Sequence, residues 1–129
     1  HALAVRDNNE GKQAAAREGY ERSLAIAREL GDPNAIASDL SDLGELLART
    51  GEPQRGRQLL TEALGIFTEL GAVYDMGVCH EYWARLDERA GDRAGAIQRY
   101  RQALPLYERA QAADEIARVR EALRRLGAG

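Results

Sequence analysis

The chain has 129 residues, 44% of them hydrophobic and 30% charged, with a formal net charge of −3. That length allows one domain with a core of its own, and the near-balanced charge excludes a general attraction to nucleic acid or to anionic membrane. A single cysteine excludes an internal disulfide and points to a reducing, cytoplasmic compartment. Ala, Leu, Arg and Glu dominate and all favour helix, whereas Val and Thr are sparse, so the expected class is all-α. No apolar run approaches the roughly 18 residues of a membrane-spanning helix. There is no basic-plus-apolar leader, and the chain opens in what reads as mid-helix, as an excised fragment would.

In chain order, the apolar spacing predicts a helical stub over Leu3–Asn9 and then a helix over Gln13–Leu30. Further helices are expected over Pro33–Thr50, Pro53–Leu70, Val73–Ala90, Arg93–Arg109 and Ala113–Leu126, about seven in all. The boundaries carry their own chemistry. Gly31-Asp32-Pro33 reads as a helix stop, an N-cap and a proline at the first helical position. Gly51-Glu52-Pro53 places its proline the same way, and Asp92 after Gly91 offers another cap. Pro105 lies inside the last long helix. It removes the bond to the Arg101 carbonyl, so a kink or shortening is expected there.

Shifted by 40 residues, the sequence overlays itself. Gly11, Gly51 and Gly91 coincide, as do Leu24, Leu64 and Leu104, and Leu46, Leu86 and Leu126. Ile36, Met76 and Ile116 form another column; Leu3, Leu43, Trp83 and Leu123 form a fifth. Small residues align at Ala16, Gly56 and Ala96 and at Ser23, Ala63 and Ala103; larger ones align at Tyr20, Leu60 and Tyr100. One domain over 1–129 is therefore expected. It divides into a partial first repeat (1–31), two full repeats (32–71 and 72–111) and a C-terminal helix (112–129).

Leu40, Leu43, Gly44 and Leu47 in the first helix of a repeat, followed by Gly56, Leu60 and Ala63 in the second, resemble the tetratricopeptide repeat. Ala16, Tyr20 and Ser23, and Ala96, Tyr100 and Ala103, repeat the second-helix pattern. The resemblance covers nearly the whole chain. It implies a right-handed α-solenoid of antiparallel helix pairs whose concave face is lined by first helices. Two departures stand out. The period exceeds the usual length of about 34 residues, as in long-repeat members. His80 and Asp87 also take the slots of Leu40 and Leu47.

At 100° per residue, Ile36, Leu40, Leu43 and Leu47 cluster on one side of their helix, and Ser38, Ser41, Glu45 and Arg49 lie opposite. The same offsets give Val78, Glu81, Arg85 and Arg89, then Arg118, Glu121 and Arg125. By the resemblance these residues line a partner-binding groove; the plain alternative is a solvated helix face. The groove is mixed in sign, with more Arg toward the C-terminal end, and suits a protein or peptide with acidic groups. The carboxylate-clamp subtype uses Lys and Asn at set positions. Ser41, Glu45, Glu81 and Arg85 stand there instead, so that subtype is not expected.

Gly77–Leu86 holds Cys79, His80, Glu81 and Trp83, letters that suggest chemistry. A structural zinc needs four ligands, and the other histidine, His1, is a whole repeat away. Adjacent helix residues point about 100° apart, so Cys79 and His80 do not face each other as a catalytic pair. Neither metal, cofactor nor catalytic residue is expected. Cys79 and His80 read as inter-helix residues without partners, Trp83 as packing, and Glu81 with Arg85 as groove residues. Ala117–Leu126 is arginine-rich but lacks a nucleic-acid motif.

The expected function is a non-catalytic scaffold for a protein or peptide. A second reading is a sensor segment of a bacterial transcription regulator or signalling ATPase, whose long arrays carry similar Leu-Gly-Asp turns. Ala-, Arg- and Gly-rich usage suggests a high-GC bacterial gene. A third reading is self-association through repeat ends, around Leu3 and Val5 at one end and Ile116 and Val119 at the other.

Overall fold

A computed structural model describes residues 2–128, with side chains over 9–128. The described chain is all helix and turn. Its elements are α1 (Ala2–Leu30), α2 (Pro33–Arg49), α3 (Pro53–Leu70), α4 (Val73–Arg89), α5 (Arg93–Arg109) and α6 (Ala113–Arg125). The predicted bounds of α3 and α5 match, and the others end within a residue of the expectation.

Two expectations fail. The stub and the helix after it are one continuous helix, so the described residues form six helices and not seven. Gly11 shares a column with Gly51 and Gly91, but it lacks their left-handed backbone, and neither a proline nor an Asp cap follows it to end the helix there. The Leu3 column and the Leu3–Val5 end fall where side chains lie outside the described residues. Pro105 neither breaks nor shortens α5, which runs through to Arg109. Its ring sits on the exposed side of the helix, where water can take up the carbonyl it leaves without a donor.

The turns follow a stricter rhythm than the columns. At the five turns between helices, left-handed backbone occurs at Gly31, Gly51, Gly71, Gly91 and Gln111, with φ from 55° to 103°, one every 20 residues; Gly127, φ 79°, follows the last helix. Each inter-helix turn ends its helix, and the following amide bonds back into it: Asp32 N–H to the Ala27 carbonyl, Asp92 N–H to Asp87, Ala112 N–H to Tyr107. The caps then differ. The carboxylates of Asp32 and Asp92 accept from the amides of Ala35 (3.2 Å) and Gly95 (2.9 Å). Glu52 makes no side-chain cap and instead accepts from Arg17 of α1 at 2.6 Å.

The closest packing is between α2 and α3 and between α4 and α5. In the first pair the helices touch at bare backbone: a Cβ on Gly56 would lie 2.7 Å from the Gly44 carbonyl oxygen. In the second pair, Ala84 and Ala96 stand at the same two positions, both fully buried. The core falls into two clusters. One gathers Leu24, Leu40, Leu43, Leu47, Leu59 and Phe67 with Cys79, the other Ala84, Tyr100, Tyr107, Val119 and Leu123. The amphipathic spacing of α2 and the small-residue columns account for both.

Candidate functional site

The polar centre of the molecule is Glu81. It lies two turns into α4 and only 3% of its surface is exposed. Its carboxylate accepts four hydrogen bonds. Tyr107 Oη donates to Oε1 at 2.7 Å. Arg118 donates through Nε to Oε2 at 2.6 Å and through Nη2 to Oε1 at 2.8 Å. Arg85 donates to Oε2 at 2.9 Å. That is the full acceptor capacity of a carboxylate. Burial acts to raise its pKa, but the bonds from Arg118 and Tyr107 and the charge of Arg85 outweigh it, so the group sits below the ordinary glutamate value.

Seven residues on, the arrangement repeats. Glu88 accepts from Tyr100 Oη at 2.5 Å and from Arg125 Nη1 at 2.7 Å. Burial again opposes ionisation, and Arg125 and Tyr100 again overcome it. Each triad draws one residue from each of α4, α5 and α6: Glu81–Tyr107–Arg118 and Glu88–Tyr100–Arg125. Residue numbers rise along α4 and α6 as they fall along α5. Both tyrosine hydroxyls are pushed well up, by burial first and then by the carboxylate they bond, so they stay protonated donors. Tyr107 is further fixed by Tyr74, whose ring centre is 5.6 Å away, and by Gly77, where a Cβ would come within 2.8 Å of the ring.

Glu81, Glu88 and Tyr100, with Arg85, Arg118, Glu121 and Arg125, line an open cleft of about 330 Å³. The carboxylates of Glu81 and Glu88 form its floor, with side-chain exposures of 4% and 20%. The guanidinium groups form its rim, with Arg118 and Arg125 about half exposed. Glu121 is at the edge, exposed and engaged by Arg124.

A related arrangement joins α2 to α4. Glu45 Oε1 is 3.1 Å from Nε of Arg49 and 3.9 Å from Nη2 of Arg89. Glu45 is the less exposed partner at 18%, and both arginines are at 43%.

Of the predicted groove residues, Glu45, Arg49, Arg85, Arg89, Arg118 and Arg125 join these ion pairs, and Glu121 pairs locally with Arg124. Ser38 is half-buried and its carbonyl accepts from Ser41 Oγ at 2.9 Å. Ser41, Val78 and Glu81 are not open lining. Ser41 and Glu81 are buried, and Val78 packs half-buried on the second core cluster. The wheel argument gives each helix one buried side. Helix α4 packs against α2, α3 and α5, and Arg118 of α6 covers Glu81.

The remaining letters of Gly77–Leu86 also resolve. Cys79 is fully buried and its thiol is pushed up to about 12, by burial first and then by Asp75 and Asp42, which leaves it unreactive. His80 does have a partner: its Nδ1 lies 3.3 Å from Nη1 of Arg99. Burial and that cation lower its pKa to about 4, so the ring is neutral at pH 7. The Arg99 guanidinium in turn stacks 3.8 Å from the centre of the Trp83 ring. Asp87, the other polar residue in a leucine slot, faces Arg57 of α3 at 3.7 Å. Val119 is fully buried, so it adds nothing to an exposed stacking end. Among the described residues, no group of three or more His, Cys, Asp or Glu could hold a metal ion, and no helix is long and apolar enough to cross a membrane.

Sequence reasoning missed Tyr100, Tyr107 and Glu88 as polar partners. The signal was present: Glu81 and Glu88, Tyr100 and Tyr107, and Arg118 and Arg125 are each seven apart, two helical turns. No protein-family model and no curated protein matches the chain.

Proposed function

We propose that the chain is a right-handed α-solenoid of antiparallel helix pairs, of tetratricopeptide type, and acts as a non-catalytic scaffold for a protein or peptide. The observation that carries the reading is the linkage of α2, α4 and α6. Alternate helices are joined through Glu45–Arg89 and Glu81–Arg118, as first helices sharing one face would be. The opposed numbering of the Glu81–Tyr107 and Glu88–Tyr100 contacts fits an antiparallel pair. The 20-residue rhythm of the turns fits helices of equal length stacked in a row. Exposed arginines on that face supply directional donors, and the buried carboxylates beneath hold them in place.

The test is a selection of displayed random peptides, unbiased in charge, against the chain. Binders are mapped by hydrogen exchange. Enriched peptides that protect α2, α4 and α6 support the scaffold reading. No enrichment, or protection confined to α1, α3 and α5, overturns it.

A further inference from the structure

Two sites on the α2, α4 and α6 face share one design. In the first, Glu81 Oε2 lies between Arg85 of its own helix, four residues on, and Arg118 of α6. In the second, Glu45 Oε1 lies between Arg49 of its own helix, four residues on, and Arg89 of α4. A single carboxylate oxygen is thus shared by two guanidinium groups each time. The glutamate is the least exposed member of each fork and the arginines are the most exposed.

Within each fork the charges do not cancel. Each sets two cations against one covered anion, with Asp42 near Glu45 and Glu88 near Arg85 as the next carboxylates. Nor are the donors used up. A guanidinium has five N–H donors, and Arg85 spends one on Glu81, while Arg118 spends its Nε and one Nη on that carboxylate. Arg85 and Arg118 both line the open cleft. The second Glu81 contact and the Tyr107 bond fix the Arg118 plane before any ligand arrives, so little rotamer freedom is left to lose. Glu88–Arg125 and Glu121–Arg124 form balanced pairs on the α6 side of the first fork. An incoming anion is therefore favoured toward Arg85 and Arg89, the two arginines of α4.

We propose that this face binds an acidic peptide, with each two-arginine fork taking one carboxylate of the ligand. The inference rests on the scaffold reading and adds the chemistry of the partner. A polyanion such as nucleic acid is the less suitable occupant. The excess charge is confined to two points on a chain of net charge −3, and the ring beside the first fork, Tyr82, is half-buried, with the Arg85 guanidinium 6.0 Å over its centre and its hydroxyl donated to Asp42.

The test uses the whole chain and a fluorescein-labelled decapeptide of alternating Glu and Gly, amidated at its C-terminus, with a Gln-for-Glu twin. Fluorescence anisotropy is expected to show the Glu peptide binding at least about tenfold more tightly than the twin. The preference should shrink about tenfold between 50 and 300 mM NaCl. The double variant Arg85→Gln, Arg89→Gln should lose about tenfold in affinity with an unchanged melting temperature, because Glu81 keeps Arg118 and Tyr107. Arg22→Gln, on the exposed surface of α1, should change nothing. Equal or absent binding of the two peptides, or full retention by the double variant, overturns the proposal. Tighter binding of an oligothymidylate of equal charge overturns it too. If the random-peptide selection returns neutral peptides that protect the same face, the scaffold reading stands and the forks alone fail.

Discussion

The junction of α2, α3 and α4 and the junction of α4, α5 and α6 occupy equivalent positions, forty residues apart, yet inner slots that are uncharged in the first are ionic in the second. Ser41, Phe67 and Val78 become Glu81, Tyr107 and Arg118; Leu60 becomes Tyr100. Phe67 and Tyr107 are both fully buried, and so is Leu60, with Tyr100 close behind. The ring stays in its slot and gains a hydroxyl, which is satisfied at once by a carboxylate from the neighbouring helix. At the Phe67 and Leu60 slots the repeat thus conserves bulk and side but not polarity. Apolar slots hold helices together without fixing their angle, whereas a bidentate Arg–Glu pair demands one geometry. The ionic junction is the one that docks α6, the shortest helix of the six.

The largest test of the contrast lies at the helix crossings. Gly56→Ala should cost about 3 kcal/mol, because the new methyl meets the Gly44 carbonyl and the Ala48 backbone nitrogen, neither of which can yield cheaply. Ala96→Gly, its counterpart in the next pair, should cost only about 1 kcal/mol through helix propensity. Urea melts of both variants check this, and equal losses would mean that the two crossings are alike.

The second test addresses the junctions. Arg118→Ala should cost about 2 kcal/mol, less than the roughly 3–5 kcal/mol of a fully buried pair, because Arg118 is half exposed and Arg85 and Tyr107 still serve Glu81. Copying the upstream set instead, with Glu81→Ser, Tyr107→Phe and Arg118→Val together, should fall within about 1 kcal/mol of the parent. A triple variant less stable than Arg118→Ala would show that the ionic junction does more than fill its slots.

The fold was legible because helix spacing, turn residues and small-residue columns all repeat, and each reports on local geometry. Asp32, Pro33, Pro53 and Asp92 act as their positions foretold. The site was legible only in part. A wheel projection separates one buried side from the rest, and it read Glu81 as facing open groove when α6 closes over it. Tyr100 read only as a large packing residue and Tyr107 drew no reading, since nothing local reveals what a hydroxyl will meet on another helix. His80 read as solitary because its partner, Arg99, lies on a different element.

The third test uses that histidine. Its folded pKa of about 4 is below the ordinary value of 6.5, so its contribution to stability is full above pH 6.5 and is lost as pH falls toward 4. His80→Leu, which restores the residue of the Leu40 slot, should remove about 1.5 kcal/mol of that slope. Burial raises Asp42, Asp75 and Asp87, which act in the opposite sense in acid, so the difference between parent and variant isolates the imidazole. Stability held by Glu81 and Glu88 is lost only at lower pH, as it falls through their depressed values, and should persist in the variant. Chemical denaturation between pH 4 and 7 measures it; an unchanged slope would sink the assignment.

The smallest effect is at the turns. Gln111 alone among the described non-glycine residues has positive φ, where the equivalent positions have glycine. Gln111→Gly should stabilise by about 1 kcal/mol, and Gly71→Ala should destabilise by a similar amount. Thermal melts that show no gain for the first would break the equivalence of the turns.

The even spacing of the left-handed residues also governs how such a chain can grow. A gene duplication spanning any two of these turns forty residues apart would insert a whole helix pair and leave every reversal intact. The ionic junction makes the outcome depend on where the copy is cut. Duplicating residues 72–111 would set the first Glu81 and Tyr107 against a second Val78, where Arg118 now stands. That carboxylate would keep Arg85 alone as its cation. New length would be geometrically free but electrostatically marked, until a second change at the copied Val78 supplied the missing arginine.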